Sequence, residues 1–463
     1  MSVIVRFAPS PTGYLHIGSA RTALFNYLFA KNQNGKFLLR IEDTDAKRST
    51  KEAIDTIIEG LDWLGLKHDG EIILQSKNYL RHQEVAKKLL EDGKAYYCYT
   101  SSEELGEMRE MAEKKGEIFR FQSPWRDKIQ SQTSLVKPVI RIKAPKEGQI
   151  IIKDLVQGEI KVASLEIDDL VMLRGDETPT YMLAVVVDDH DMQISHVIRG
   201  DDHLTNAFRQ KVIYQALNWQ VPEFAHIPLI HASDGTKMSK RHGATSVMEY
   251  KEMGYLPEAL RNYLLRLGWS HHDQEIISDE EAIKWFGLNK VGKSPARFDF
   301  AKLDHLNKHY LKEKDSNQLL ALIAPYFQES ISESEKNRIL KALKFLKERA
   351  VKLKDLADMA SIYLNYGAKS KNIIDTETRK IIAEKQDILL DLRNILLAIL
   401  AENFNHHHIK TEIDKYLAVK NLKIKDFAPA LRAALTFNIS TAGGIFEIIE
   451  ILGKEEVILR LNN

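Results

Sequence analysis

Four stretches of the chain place charged or hydrogen-bonding side chains where glycines and turns interrupt apolar runs. The first is Arg6 to Arg21, RFAPSPTGYLHIGSAR. Its chemistry is that of an anion site. His16 can donate a hydrogen bond to a phosphate oxygen, Gly18 has no Cβ to hold a bulky ligand off a helix start, and Ser19 follows it. The second stretch is RIEDTD, in which Glu42 can hold an α-ammonium group. Read alone, Glu42 and Asp43 would be helix caps; beside the first loop, binding is the better reading. The third is Arg199-Gly200-Asp201-Asp202-His203, where Arg199 offers paired N–H donors or, more plainly, a surface salt bridge to Asp201. The fourth is Lys237-Met238-Ser239-Lys240-Arg241, directly after the turn pair Asp234-Gly235. A run like this is usually a solvated basic loop. Neither the P-loop string nor the dinucleotide fingerprint occurs.

These residues need a frame. Val3 to Phe7 reads as a buried strand, Gly18 to Lys31 as an amphipathic helix carrying Ala20, Leu24, Tyr27 and Leu28, and Phe37 to Ile41 as a second strand. Two prolines hold the intervening loop extended and Gly13 permits a sharp turn. Strand, helix, strand predicts a right-handed parallel crossover. Ligands bind beyond the carboxyl ends of such strands, which puts Arg6, Ser10 and Glu42 on one side. Ile54 to Leu64 and His82 to Leu90 read as helices. From Tyr96 to about Leu183 short strands (Val139 to Ile142, Ile150 to Lys153) alternate with polar connections, the texture of an insertion. Leu183 to Val187 is a continuous apolar run that predicts a central parallel strand, and Ile194 to Ile198 predicts another ending at Arg199. Tyr250 to Leu311 is mostly helical, and beyond Lys314 the chain reads as an all-α body. There Leu340, Leu343 and Leu346 form an apolar stripe beside Lys341, Lys344 and Lys347. The triple histidine at 406–408 points in different directions on a helix and predicts no metal site.

With 463 residues the chain can hold two to four domains. A net charge of +1 gives no global basic field, so a nucleic-acid partner would be held by local patches. The single cysteine, Cys98, excludes an internal disulfide framework and fits a reducing cytoplasm. No apolar run approaches ~20 residues, so no membrane span is expected, and a strand beginning at the N-terminus leaves no room for a signal peptide.

The string from Arg6 to Arg21 resembles the HIGH signature of class I aminoacyl-tRNA synthetases, with Ser19 in the fourth position. Lys237 to Arg241 resembles their KMSKS loop. PTYMLAVVVDDHDM, HVIRGDDH, GYLPEALRNYLLRLGW, SPARFDFAKLDHLN and the C-terminal DFAPALRAALTF to GGIFEIIEILGKE resemble, over essentially the whole chain, the bacterial glutamyl-tRNA synthetase family. The resemblance implies an α/β N-terminal half, a Rossmann-like catalytic domain with a parallel sheet and an inserted connective domain, followed by an all-α anticodon-binding half. The implied domains are 1–95 and 181–245 for the two catalytic halves, 96–180 for the acceptor-binding insertion, 246–314 for a helical stem-contact region and 315–463 for the anticodon-binding region.

The same resemblance implies a two-step reaction. Glutamate's α-carboxylate attacks the α-phosphate of ATP, and the terminal ribose of tRNA(Glu) attacks the adenylate. His16, Gly18, Lys237 and Lys240 would act on the reacting phosphate. His16, Gly18, Ser19, Met238, Ser239 and Lys240 would bind ATP with Mg²⁺ bridging its phosphates. Arg6, Ala8, Ser10, Glu42, Tyr181 and Arg199 would surround glutamate. Either arginine can read the side-chain carboxylate, and such pairing can reject glutamine by ~10⁴-fold.

Some relatives carry a zinc-binding cysteine cluster in the insertion. Here Cys98 stands alone and Trp125 occupies a place where a further cysteine could stand, so no zinc is expected and Cys98 should be a buried thiol. Some relatives that separate tRNA(Glu) from tRNA(Gln) use an arginine where Ser361 falls here, and no arginine occurs between Arg349 and Arg379. A serine would penalise the wrong base poorly, leaving tRNA(Gln) open as a second acceptor; Lys352 or Lys354 is the competing source of discrimination. A cytoplasmic monomer is the family-based expectation. A tRNA-modifying glutamyl transferase would lack the helical C-terminal body. A nucleotidyltransferase of the same fold would lack the RNA-facing length after Lys314, and a non-catalytic RNA-binding descendant would show decayed signatures.

Overall fold

The computed structural model describes residues 2–45, 49–116, 119, 121–128, 137–236, 238, 246–327, 329–365, 375–439 and 441–462. These form two compact units. One comprises Met1–Tyr250 with Leu260–Asp299, the other Lys251–Ala259 with Phe300–Asn463.

The first unit opens as its apolar pattern dictates. Strand β1 (Ile4–Phe7) leads through the proline loop to helix α1 (Ile17–Asn32) and strand β2 (Lys36–Ile41), which pairs parallel to β1 with Ile4 opposite Lys36 and Phe7 opposite Leu39. Helix α1 is less amphipathic than its sequence implies. Ile17, Ala20, Leu24, Phe25, Leu28 and Phe29 are buried, and so are Arg21 and Asn26. The cause is a cover on its outer side: Phe25 meets Phe286 edge-on at 5.2 Å, and Asn32 Nδ2 donates to the Ile283 carbonyl at 2.9 Å. Gly13 makes no left-handed turn; its φ is ordinary and a Cβ there would meet nothing within 4 Å. The bend is made instead by Thr12 N–H donating to the Ser10 carbonyl at 2.8 Å.

Helix α2 (Lys51–Trp63), capped by Thr50, leads to the short strand β3 (Ile73–Leu74), which extends the sheet to β1-β2-β3. Helix α3 (Tyr79–Glu91) then delivers the chain to strand β4 (Ala95–Cys98) and helix α4 (Ser102–Lys114). Strands β4, β5 (Val139–Ile142) and β8 (Val171–Leu173) make an antiparallel sheet. Between them β6 (Gln149–Asp154) and β7 (Gly158–Ala163) form a hairpin that belongs to a different sheet.

The run Leu183 to Val187 is not a strand. It is the centre of helix α5 (Tyr181–Asp191), entered from Thr180 in an extended conformation. A short, wholly apolar run has no period to read. Here tertiary burial overrides the strand preference of three valines. Strand β9 (His196–Gly200) begins two residues later than the apolar run predicts. Gln193 takes a left-handed φ of 56° and Ile194 N–H still bonds back to the Asp189 carbonyl at 2.8 Å. Helix α6 (Leu204–Ala216) connects β9 to its parallel neighbour β10 (Glu223–Ile227), giving the order β7-β6-β10-β9. Ser195 N–H donates to the Ile4 carbonyl at 2.9 Å, bringing the edge of β9 to the edge of β1.

The second unit is helical, its core built from Leu311, Leu319, Ile339, Leu343, Leu346, Leu356, Leu392, Ile413, Leu431 and Ile448. The stripe Leu340, Leu343, Leu346 lies on the helix Glu333–Leu346, which starts at a capping box on Ser332; Ile339 and Ala342 complete its buried face and Leu340 is half-buried. His406, His407 and His408 open the helix His406–Lys420, capped by Asn405.

Candidate active site

The carboxyl ends of β1, β2 and β9 surround a cleft of about 400 Å³. Arg6, Ala8, Ser10, His16, Gly18, Ser19, Glu42, Tyr181, Arg199 and Met238 all line it, so residues read from four separate stretches meet in one place. The loops after β1 and β2 are stitched together by Glu42 N–H donating to the Pro9 carbonyl at 3.0 Å. Lys237, Ser239 and Lys240 lie outside the described residues. Just before them, Ala232 N–H donates to the Thr236 carbonyl at 2.8 Å around Gly235, whose φ of 83° suits glycine. Ser361 belongs to the other unit.

His16 is the N-cap of α1: Gly18 N–H donates to its Nδ1 at 3.0 Å. An accepting Nδ1 carries no proton, so the neutral ring holds its proton on Nε2. A Cβ on Gly18 would sit 3.4 Å from Nδ1, in ordinary contact, so the fold itself tolerates a side chain there.

The charges beneath the cleft are arranged around a residue not singled out from sequence, Asp189. Arg6 Nε and Nη2 donate to its two oxygens at 2.9 and 3.3 Å, and Arg40 Nη1 donates to Oδ1 at 2.6 Å. Arg40, fully buried, also donates Nη2 to Glu42 Oε1 at 3.1 Å. Its neighbour Asp188 turns the other way and accepts from Gln75, Asn78 and His82 at 2.7, 2.9 and 2.8 Å. Successive residues of a helix point about 100° apart, so α5 feeds one carboxylate to each side. Burial pushes Asp189 up, but Arg6 and Arg40 outweigh it and hold the group below the ordinary carboxylate range. For Glu42 the balance reverses: burial outweighs Arg40 and Arg6 and raises its pKa. Burial also raises the Tyr181 phenol, helped by Glu42.

Arg199 is 6 % exposed. Its Nε donates to His226 Nε2 at 3.1 Å and its Nη2 to the His203 carbonyl at 3.3 Å, while its buried Nη1 has no hydrogen-bond partner among the described residues. The surface salt bridge to Asp201 is not what is found. A buried cation with an unspent donor is costly on its own and suits an anionic ligand. Arg21 also lines the cleft, donating to the Leu267 and Pro228 carbonyls, and burial lowers its pKa to about 10.

Arg40, Asp189 and His226 escaped the sequence reading. Arg40 and Asp189 left a signal, since an arginine inside an apolar strand and two acids ending an apolar run need buried partners; His226 left none. Cys98 is buried, 3.5 Å from the Ser123 hydroxyl, which donates to its sulfur.

Ser361 ends the helix Leu353–Ser361 in the second unit and lines another cleft of about 400 Å³ with Arg349, Asp358, Phe437 and Asn438. Its hydroxyl donates to the Asp358 carbonyl at 2.7 Å, which leaves the oxygen as an acceptor. Lys352 is engaged elsewhere, 3.5 Å from Asp304 and over the Tyr255 ring.

Residues 2–305 match the family model described as "tRNA synthetases class I (E and Q), catalytic domain", and residues 318–463 match "Anticodon binding domain". The chain is 50% identical over 99% of its length to a protein of Rickettsia prowazekii called glutamate–tRNA ligase 2, covering 97% of it. It is 52% identical to the protein of that name from Rickettsia felis, covering 99% of each. It is also similar to the crystal structure of a glutamate tRNA ligase from Elizabethkingia meningosepticum in complex with its amino acid. That match has a TM-score of 0.86 and 32% identity, covering 100% of this chain and 99% of the other.

Proposed function

We propose that this chain, which belongs to the class I glutamate–tRNA ligase family, holds glutamate between Glu42 and Arg199 and ATP over His16 and Gly18. The observation that carries the reading is the unspent Nη1 of buried Arg199 in a cleft that also contains the Glu42 carboxylate. Glu42 takes the α-ammonium and Arg199 the side-chain carboxylate. Arg6, with Nε and one Nη committed to Asp189, serves as a fixed positive wall. Glutamine would leave the Arg199 cation without a counter-charge, and the site discriminates for that reason.

No protein nucleophile is needed, because the α-carboxylate of glutamate and the terminal ribose of tRNA(Glu) attack in turn. The chain positions the reactants and supplies donors to the phosphate, His16 through Nε2 and Lys237 and Lys240 from their loop. Magnesium enters with the phosphates of ATP as part of that substrate. The protein works as a cytoplasmic monomer. Transfer of labelled glutamate to the 3′ end of tRNA in the presence of ATP tests the reading; equal transfer of labelled glutamine would defeat it.

Protonation of Glu42 should set an acid limb for glutamate use. Only its charged form attracts the ammonium, and its raised pKa means that form is lost at a higher pH than for an ordinary glutamate. We expect kcat/KM for glutamate to fall on acidification from a midpoint above 4.5, the unperturbed value. Glu42→Gln should abolish that limb and raise KM for glutamate. An unchanged limb in Glu42→Gln assigns the ammonium to another group.

The acceptor specificity follows from Ser361. A hydroxyl whose proton is spent on its own helix offers only an acceptor, and both cytosine and guanine present donors to it. We therefore expect tRNA(Gln) to be charged alongside tRNA(Glu), within about a hundredfold, given the ~1–3 kcal/mol that one well-placed contact discriminates. Charging both transcripts side by side checks this. A ratio in the thousands would defeat this and leave Lys354, or Arg349 on the wall of the same cleft, to read the base.

A further inference from the structure

We propose that His226, held by Asp154, is the positioning residue that aims Arg199, so that a strand of the inserted segment helps set the preference for a side-chain carboxylate. The proposal rests on the reading that Arg199 meets that carboxylate.

His226 lies in β10 with no exposed surface, and its Nδ1 is 2.6 Å from Asp154 Oδ2 at the end of β6. Asp154 is saturated with donors. Its Oδ1 accepts from the backbone N–H of Val156 and Gln157 at 2.9 and 2.8 Å, and its Oδ2 from His226 N–H at 3.1 Å. Burial pushes Asp154 up, but the hydrogen bonds from His226 and Gln157 outweigh it and keep the group ionised. An ionised carboxylate only accepts, so the proton of the ring must sit on Nδ1. Burial lowers the His226 pKa, which keeps the ring neutral and leaves Nε2 a lone pair. That lone pair is what Arg199 Nε–H donates to at 3.1 Å. In the other tautomer, or in the imidazolium, two N–H groups would face each other. With Nε fixed on His226 and Nη2 on the His203 carbonyl, the guanidinium plane has no freedom left, and the unspent Nη1 is presented in one direction. The Phe224 ring, 5.7 Å from the guanidinium carbon, lies against the same group.

Asp154→Asn tests this with almost no change of shape. Its oxygen can keep the turn at Val156 and Gln157, but its amide donates towards Nδ1, drives the proton to Nε2 and sets it against Arg199 Nε–H. His226→Leu removes the acceptor, and His226→Gln offers an amide oxygen in its place. We expect Asp154→Asn and His226→Leu to raise KM for glutamate roughly tenfold or more, the order lost with a hydrogen bond to a charged group, and to weaken discrimination against glutamine. KM for ATP should stay within about twofold, since the ATP contacts are untouched. His226→Gln should restore most of the loss. In an Arg199→Ala background His226→Leu should add nothing further. If Arg199→Ala raises KM for glutamate while Asp154→Asn and His226→Leu leave it unchanged, the positioning role is wrong. It is equally wrong if the effects add in the double variant or fall on both substrates, as a merely structural role requires. If Arg199→Ala itself leaves KM for glutamate unchanged, the underlying reading of Arg199 fails and the proposal falls with it. Should His226→Leu not fold, Asp154→Asn and His226→Gln carry the decision.

Discussion

Replacing Asp189 by alanine should destabilise the first unit by about 3–5 kcal/mol, the cost of removing one partner from a buried ion pair. The change strips Arg6 and Arg40 of their common counter-ion while both guanidiniums stay buried, 4 % and 0 % exposed. Glu42 hydrogen-bonds Arg40 and reaches Arg6 only through space, and Asp188, 3.9 Å from Arg40 Nε, is committed to Gln75, Asn78 and His82. The pH dependence has a defined sign. Because the Asp189 pKa is depressed in the folded protein, its contribution is fully present above the unfolded value of about 3.8 and fades as pH falls through the lower folded value. The gap in unfolding midpoint between wild type and Asp189→Ala should therefore be constant near neutrality and narrow only in strong acid. Denaturant unfolding followed at several pH values measures this, and superimposable curves at neutral pH would show that the two arginines find other partners. Glutamate binding should suffer as well, because Arg6 forms a wall of the cleft.

Lys240→Ala should cut turnover by roughly 3 kcal/mol or more in activation free energy, the scale of losing one donor to a developing charge. KM for glutamate should change little, since a donor whose contact strengthens as charge moves on the α-phosphate acts on the transition state. Its basis is the Lys237 to Arg241 string together with Met238, which lines the cleft. A variant with raised KM and intact kcat would place the lysine in ground-state binding instead.

Much of this site is legible in the sequence because its residues sit at the ends of elements. Arg6, Glu42 and Arg199 each close or follow a strand, and strand ends converge in a parallel sheet whatever their separation along the chain. The residues missed stand at equivalent places but belong to no motif: Arg40 is as near the end of β2 as Arg6 is to the end of β1. Arg40 and Asp189 are buried in β2 and α5, and nothing in their local pattern names the partner across the sheet. The helix α5 itself was unreadable as such, because an apolar run of five residues carries neither period. His226 lacks even a signal. Its role emerges only from the parallel register of β10 with β6, which sets Phe224 opposite Asp154.

That register has a consequence for modularity. The stretch from 96 to 180 reads as a cassette that could be exchanged between relatives or cut away, leaving a minimal adenylating core. Strand β6 is woven into the sheet through β10, and its last residue is linked through His226 to Arg199 in the wall of the cleft. A chimera joined at those borders would import a foreign residue at position 154 along with the rest of the segment. Trimming the segment would expose a sheet edge at β10 and release His226 together. Grafts that keep β6 and β7 with the host and exchange only what lies before 149 or after 163 are the ones this architecture allows.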